Sequence, residues 1–305
     1  MKNKGHRDQP LVLDRYLQEH RDKIDCYLDI VIPSGDTYPK VIHEAMRYSV
    51  FAGGKRIRPI LALATAHALG KPLEPVMSLA AALELIHTYS LIHDDLPALD
   101  NDDYRRGKPA LHKEFGEGIA ILAGNSLLNL AFQHLAEQKK ASSPKNSLGT
   151  IRLLSQAIGT LNGMLGGQVV DLLKQGNPYT SKELKYIHRS KTGALVHAAI
   201  YCAGTLCEAQ KKELTKLSSF GSLVGLAFQI VDDILDVEGF SDEMGKETGK
   251  DKSNRKATYP DLFGLDKSKR IAGRLVEEAI QHIRLFGPRG KILKELAQFI
   301  SVRRF

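Results

Sequence analysis

Val76-Met-Ser-Leu-Ala-Ala-Ala-Leu-Glu-Leu-Ile-His-Thr-Tyr-Ser-Leu-Ile-His-Asp-Asp-Leu-Pro-Ala-Leu99 is the stretch whose reading decides the fold class. Its apolar residues, among them Leu79, Ala82, Leu83, Leu85, Ile86 and Ile92, suit a helix buried on most of its circumference. The segments Ile119–Leu135, Ile151–Leu173, Thr192–Cys207 and Leu214–Val237 read as long apolar helices in the same way. Breaks fall at Pro33–Tyr38, Gly70–Pro75, Gly107–Pro109, Ala141–Asn146, Gly176–Thr180 and Gly239–Thr258, all loops between helices. There are no convincing alternating strand pairs, no repeats of fixed period and no stretch like a flexible interdomain linker. The expectation is a single all-α domain over residues 1–305, a bundle of roughly ten helices.

Hydrophobic residues make up 43% of the chain and charged residues 26%, ordinary for a globular protein. The apolar stretches are broken by Gly, His, Asp or Lys, so no transmembrane segment is expected, and Met1 to Pro10 lacks the apolar core of a secretory signal. Cys26, Cys202 and Cys207 form neither a disulfide framework nor a close metal-binding set, which fits a reducing, cytoplasmic setting. The net charge is +8 and the isoelectric point near 9.2. The basic residues are dispersed and carry no aromatic-basic pattern, which argues against a nucleic-acid partner and for anionic small substrates.

Two acidic clusters interrupt this apolar background. In Phe228-Gln-Ile-Val-Asp-Asp-Ile-Leu-Asp236, Asp232 and Asp236 are four apart and share one helix face, with Gln229 one turn earlier and Asp233 beside them. The first cluster is Asp94-Asp-Leu-Pro-Ala-Leu-Asp100. On an unbroken helix Asp100 would sit about 240° from Asp94, so the two would not converge. Pro97 lacks an N–H and clashes with the preceding turn, so the helix should end or kink near Asp95 and let Asp100 fold back toward Asp94. His87 and Ser90, seven and four residues before Asp94, point to the same face. Carboxylates without His or Cys ligand spacing favour a hard cation such as Mg²⁺, which takes one or two carboxylates and completes its shell with water and substrate phosphates. The basic groups that a phosphorylated substrate requires are present. Lys55 and Arg58 follow a Gly pair, Arg105-Arg106 follow the first cluster, Lys191-Thr192-Gly193 open an apolar helix, and Lys246 and Lys256 flank the loop after the second cluster.

These motifs resemble the short-chain trans-polyprenyl diphosphate synthases, and within them most closely the bacterial farnesyl diphosphate synthases. The resemblance is carried by GGKRIRP (53–59), LELIHTYSLIHDDLPALDNDDYRRGKPALH (83–112), GMLGGQVVD (163–171), IHRSKTGAL (187–195), GLAFQIVDDILDVEG (225–239) and KATYP (256–260). It implies the isoprenoid synthase fold, all-α around a deep central cavity, usually in a homodimer. Asp94 and Asp100 would bind Mg²⁺ with Asp95 in support, and Asp232 would bind it with Asp233 and Asp236 nearby, more than one ion serving the site. Arg105, Lys191, Lys256 and Lys246 would hold the allylic diphosphate, and Lys55, Arg58, His87 and Arg106 the isopentenyl diphosphate. Thr192 and Gln229 would lie beside an allylic carbocation formed from dimethylallyl or geranyl diphosphate.

Tyr89 lies about 7.5 Å down the helix from Asp94, where the family's bulky aromatic stops chain growth. With Ser90 beside it, Tyr89 implies a fifteen-carbon product, farnesyl diphosphate. A geranylgeranyl diphosphate synthase with a deeper pocket is the alternative, and a catalytically silent isoprenoid-binding subunit the more distant one. Two positions depart from the family pattern: Asn125 stands where an Asp is common, and Val231 where a polar residue is common.

Overall fold

The computed structural model describes residues 12–137, 143–239 and 256–302. Among them the chain forms fourteen α-helices, eleven of eleven residues or more. In chain order they begin α1 (Val12–Val31), α2 (Lys40–Val50), α3 (Ile57–Ala68), α4 (Glu74–Asp94), α5 (Leu111–Phe115), α6 (Glu117–Glu137) and α7 (Pro144–Ile158). There follow α8 (Met164–Lys174), α9 (Ser181–Ile187), α10 (Ala194–Leu206), α11 (Lys211–Glu238), α12 (Tyr259–Phe263), α13 (Leu265–Ile283) and α14 (Lys291–Val302). The all-α expectation holds. The β structure among the described residues is a two-residue hairpin, β1 (Tyr104–Arg105) against β2 (Lys108–Pro109), where the sequence suggested a plain loop.

α4 is the centre of the bundle. Leu79, Ala80, Ala82, Leu83, Leu85 and Ile86 have no exposed surface, and the one charged residue among them, Glu84, is buried with them. It packs on α3, α6 and α10, and α10 in turn packs on α7 and α11. A second apolar cluster lies under the C-terminal half of α11, where Ile230, Val231, Ile234 and Leu235 meet Leu184, Ile187, Tyr259 and Ala272. Cys202 and Cys207 are buried as small core residues, and Cys26 is exposed.

Two boundaries differ from the sequence reading. Ile151–Leu173 is two helices, because Gly159 to Gly163 break the path with Asn162 at a φ of 56°. The apolar periodicity resumes after the break, which is why the segment looked continuous. Lys191-Thr192-Gly193 do not open α10 either; they lie in a π-helical turn, His188–Gly193, that joins α9 to α10. By length and composition alone α4 and α6 could each cross a membrane, although the sequence suggested no such run; the α4 segment is 72% buried inside the protein and the α6 segment 33%.

Candidate active site

Asp94 is the last residue of α4, and the chain then turns back as Pro97 requires. The Asp100 N–H donates to the Asp94 carbonyl at 2.8 Å, and the Asp102 N–H to the Asp95 carbonyl at 3.2 Å. The return puts the Asp100 carboxylate within electrostatic reach of Asp94. Burial, with the like charge of Asp100 added to it, pushes the Asp94 carboxyl up to about 6, while Lys191, Arg105 and Lys256 pull it down.

The hairpin that follows directs two arginines to different partners. Its two-residue turn, Arg106-Gly107, has positive φ at both positions, the backbone twist that tight hairpins favour. Arg105 forks onto Asp95, with Nε 2.9 Å from each carboxylate oxygen, and its Nη2 reaches Asp102 at 3.2 Å. Arg106 instead donates to the Gly53 carbonyl and lies 3.8 Å from Glu84. Glu84 itself is bonded by Arg56 at 2.6 Å, and Arg56 also holds Asp25 at 2.8 Å and the Val50 carbonyl at 2.7 Å. Arg56, passed over in the sequence reading between Lys55 and Arg58, is the buried member of the GGKRIRP stretch.

The π turn brings the two acidic clusters together. The Lys191 ammonium bonds Asp171 at 2.7 Å, and the charges of Asp94 and Asp100 act on it as well, so its pKa is raised despite burial. The neighbouring Thr192 hydroxyl donates to Gln229 Oε1 at 2.5 Å, three residues before Asp232 on α11. The close approach needs bare backbone on both sides. A Cβ on Gly167 of α8 would sit 2.3 Å from the Lys191 nitrogen, and one on Gly225 of α11 would sit 2.8 Å from the Gly193 Cα. A second strap runs parallel to it: Lys256 bonds Asp100 at 3.0 Å, while the Tyr259 N–H donates to Asp233 at 2.9 Å.

The remaining residues named from sequence are distributed as follows. Asp232 and Asp236 are half-buried on α11, whereas Asp233 is buried. Arg58 lies over the Phe228 ring, 5.7 Å from its centroid. His87 is held well below the usual imidazole range by burial and then by the charges of Arg58, Arg106 and Arg105, so it is neutral at physiological pH and can share a proton in a hydrogen bond. Lys55 is exposed and lines a cleft of about 220 Å³ with Asp14, Gln18, Arg21 and Phe299. Tyr89 is 7% exposed and meets the His93 ring edge-on, 4.9 Å between centroids. The Ser90 hydroxyl donates to the His87 carbonyl at 2.9 Å. Lys246 lies outside the described residues. Of the two departures, Asn125 is exposed on α6 and Val231 is buried in the second apolar cluster. Among the described residues no three His, Cys, Asp or Glu side chains converge into a metal cage. Asp171, Glu84, Asp25 and His188 were all missed as partners, although Asp171, Glu84 and His188 stand inside the quoted stretches GMLGGQVVD (163–171), LELIHTYSLIHDDLPALDNDDYRRGKPALH (83–112) and IHRSKTGAL (187–195).

An all-helical bundle with carboxylates and cations interleaved at one end of its central helix is the frame of a prenyl-transferring enzyme, and comparison with known proteins agrees. The chain belongs to the polyprenyl synthetase family, whose model matches residues 39–285. It is 44% identical over 298 residues to a chloroplastic geranylgeranyl pyrophosphate synthase of Capsicum annuum, covering 97% of this chain and 80% of the relative. It is 42% identical to a farnesyl diphosphate synthase of Geobacillus stearothermophilus, covering 96% and 98%. Among solved structures, an FPP/GFPP synthase from Zymomonas mobilis matches with a TM-score of 0.85 at 35% identity, covering 95% of this chain and 99% of that one.

Proposed function

We propose that the protein condenses isopentenyl diphosphate with dimethylallyl and then geranyl diphosphate to give farnesyl diphosphate. The observation that carries the fifteen-carbon length is Tyr89, buried on α4 below Asp94 and braced by the His93 ring. A tail starting at the aspartates meets that ring after about 7.5 Å of helix.

The donors fit a hard divalent cation. Asp94 and Asp100 are oxygen ligands brought together on one return of the chain, and burial has left Asp94 short of compensating charge. Asp94, Asp100, Asp232 and Asp236 would hold magnesium, which when bound supplies Lewis-acid neutralisation of a leaving diphosphate. The chain's own part follows from its charges. Lys191, Lys256 and Arg105, each paired with a carboxylate here, exchange or share that partner with the allylic diphosphate and offset its developing charge. Arg58, Arg106 and neutral His87 form the basic side facing isopentenyl diphosphate. The Thr192 hydroxyl and Gln229 amide line the place where the allylic carbon becomes positive, and the apolar core of α4 and α10 keeps water from quenching it.

Product analysis by mass spectrometry tests the reading. Mainly C15 product is expected from the wild type, and Tyr89→Ala should shift the mixture toward C20 and longer. A wild type making mainly C20, as the Capsicum relative's name would suggest, sinks the length assignment. The same reading includes a homodimer. Ile121 and Leu122 on α6 and Leu165, Val169, Leu172 and Leu173 on α8 leave apolar side chains exposed that a second copy would cover. Sedimentation equilibrium should give twice the chain mass; a monomer at micromolar concentration would count against it.

A further inference from the structure

Asp233 stands in the middle of the second cluster, yet both its oxygens are engaged inside the protein. Oδ2 accepts from His188 Nε2 at 2.7 Å and from the Tyr259 N–H at 2.9 Å, and Oδ1 accepts from Gln229 Nε2 at 3.2 Å. The residue is 2% exposed, while Asp232 and Asp236 on the neighbouring face are half-buried. We propose that Asp233 is a positioning residue for prenyl transfer and not a metal ligand: it sets the direction of a hydrogen-bond chain that runs through Gln229 and ends on Thr192. The inference rests on the reading above, in which Thr192 faces the developing allylic cation.

The direction follows from what each group can do. A carboxylate only accepts, so the Gln229 amide must turn Nε2 toward Asp233 and Oε1 toward Thr192. Oε1 carries no proton, so across 2.5 Å it is the Thr192 hydroxyl that donates. The hydroxyl's one proton is thereby committed within the protein, and the lone pairs of Oγ1 are left for the substrate side. Lone pairs fixed in place before reaction stabilise positive charge as it forms, whereas a free hydroxyl would have to reorient. The far end of the chain is equally defined. The His188 ring donates through Nε2, and its buried Nδ1 has no hydrogen-bond partner among the described residues. His188 and Thr192 sit at opposite ends of the same π turn, and both are tied to α11 through this one chain of bonds.

Asp233→Asn removes the constraint. Its side chain can present an N–H, Gln229 can reverse, and Nε2 would then occupy a lone pair of Thr192. The expected result is a fall in kcat of about 10- to 30-fold. KM for both diphosphates and the magnesium concentration for half-activation should stay within about twofold of wild type. Thr192→Val should be slow as well, and the double variant Thr192→Val/Asp233→Asn should be no slower than Thr192→Val alone. Gln229→Met cuts the chain at its middle while leaving Asp233 with His188 and Tyr259; it should show the same non-additivity with Thr192→Val, which covers the case in which Asp233→Asn folds poorly. A large rise in the half-activating magnesium concentration for Asp233→Asn would make it a metal ligand and overturn the proposal. Losses that multiply in both double variants would overturn it too. A wild type that releases no diphosphate from the paired substrates would instead refute the underlying functional reading, and the inference with it.

Discussion

Arg56→Ala is expected to cost about 3–5 kcal/mol of stability, seen as a fall in Tm of about 10 °C. The side chain of Arg56 is 1% exposed and that of Glu84 is 2% exposed, and the guanidinium is the closer of the two cations near that carboxylate. Removing it strands a buried negative charge, together with the Val50 carbonyl and Asp25 that Arg56 also satisfies. Among the described residues Arg106, 3.8 Å from Glu84, is the remaining cation beside it, and drawing it inward would take it from the Gly53 carbonyl. On the function proposed above, in which Arg106 faces isopentenyl diphosphate, the damage should therefore extend to the binding of that substrate. Arg56→Met combined with Glu84→Gln should recover much of the stability, because the costly outcome is an unpaired charge and not the loss of the pair itself. A Tm for Arg56→Ala within 2 or 3 °C, roughly 1 kcal/mol, of wild type would contradict this account.

Asp94→Asn should move stability and activity in opposite directions. In the substrate-free protein the Asp94 carboxylate is desolvated and close to Asp100, which is why its pKa rises to about 6. A neutral amide of the same shape removes that penalty, so Tm at pH 8 should rise. On the function proposed above, the same change would withdraw a ligand from the metal that neutralises the leaving diphosphate, and kcat should fall by about a thousandfold. Such opposition is expected where a site is built for charge that arrives only with its ligands. Unchanged Tm together with near-normal turnover would show that Asp94 is an ordinary helix-end residue. Differential scanning fluorimetry and a diphosphate-release assay on one preparation decide the matter.

Much of the fold could be read from residues 76–99. A helix apolar on most of its circumference has to lie inside a bundle, and Pro97 marks both its end and the return of Asp100. The failures share a cause in tertiary geometry. Glycines 159 and 163 could be read as packing positions in one helix, since the apolar pattern on either side is continuous. Nothing local in the sequence says that Lys191 waits on Asp171, twenty residues earlier, or that Arg56 rather than its neighbours turns inward. The two acidic clusters stood out in the sequence, but the difference between Asp232 and Asp233 depends on His188 in the π turn and Tyr259 on α12 as well as on Gln229 of its own helix.

The π turn at 188–193 has a consequence for how the chain can change. Such a turn holds one residue more than an α-helical path needs, so it acts as a phase offset between α9 and α10. Deleting one residue there would restore an unbroken α-helix at little cost to the backbone. The flanking helices would keep their faces, because the wide turn had absorbed the extra residue, but the residues inside the turn would each move by one position. Lys191 and Thr192 could no longer face Asp171 and Gln229 together. Insertions and deletions that most loops would absorb are therefore barred from this one turn, although its backbone is regular helix on either side.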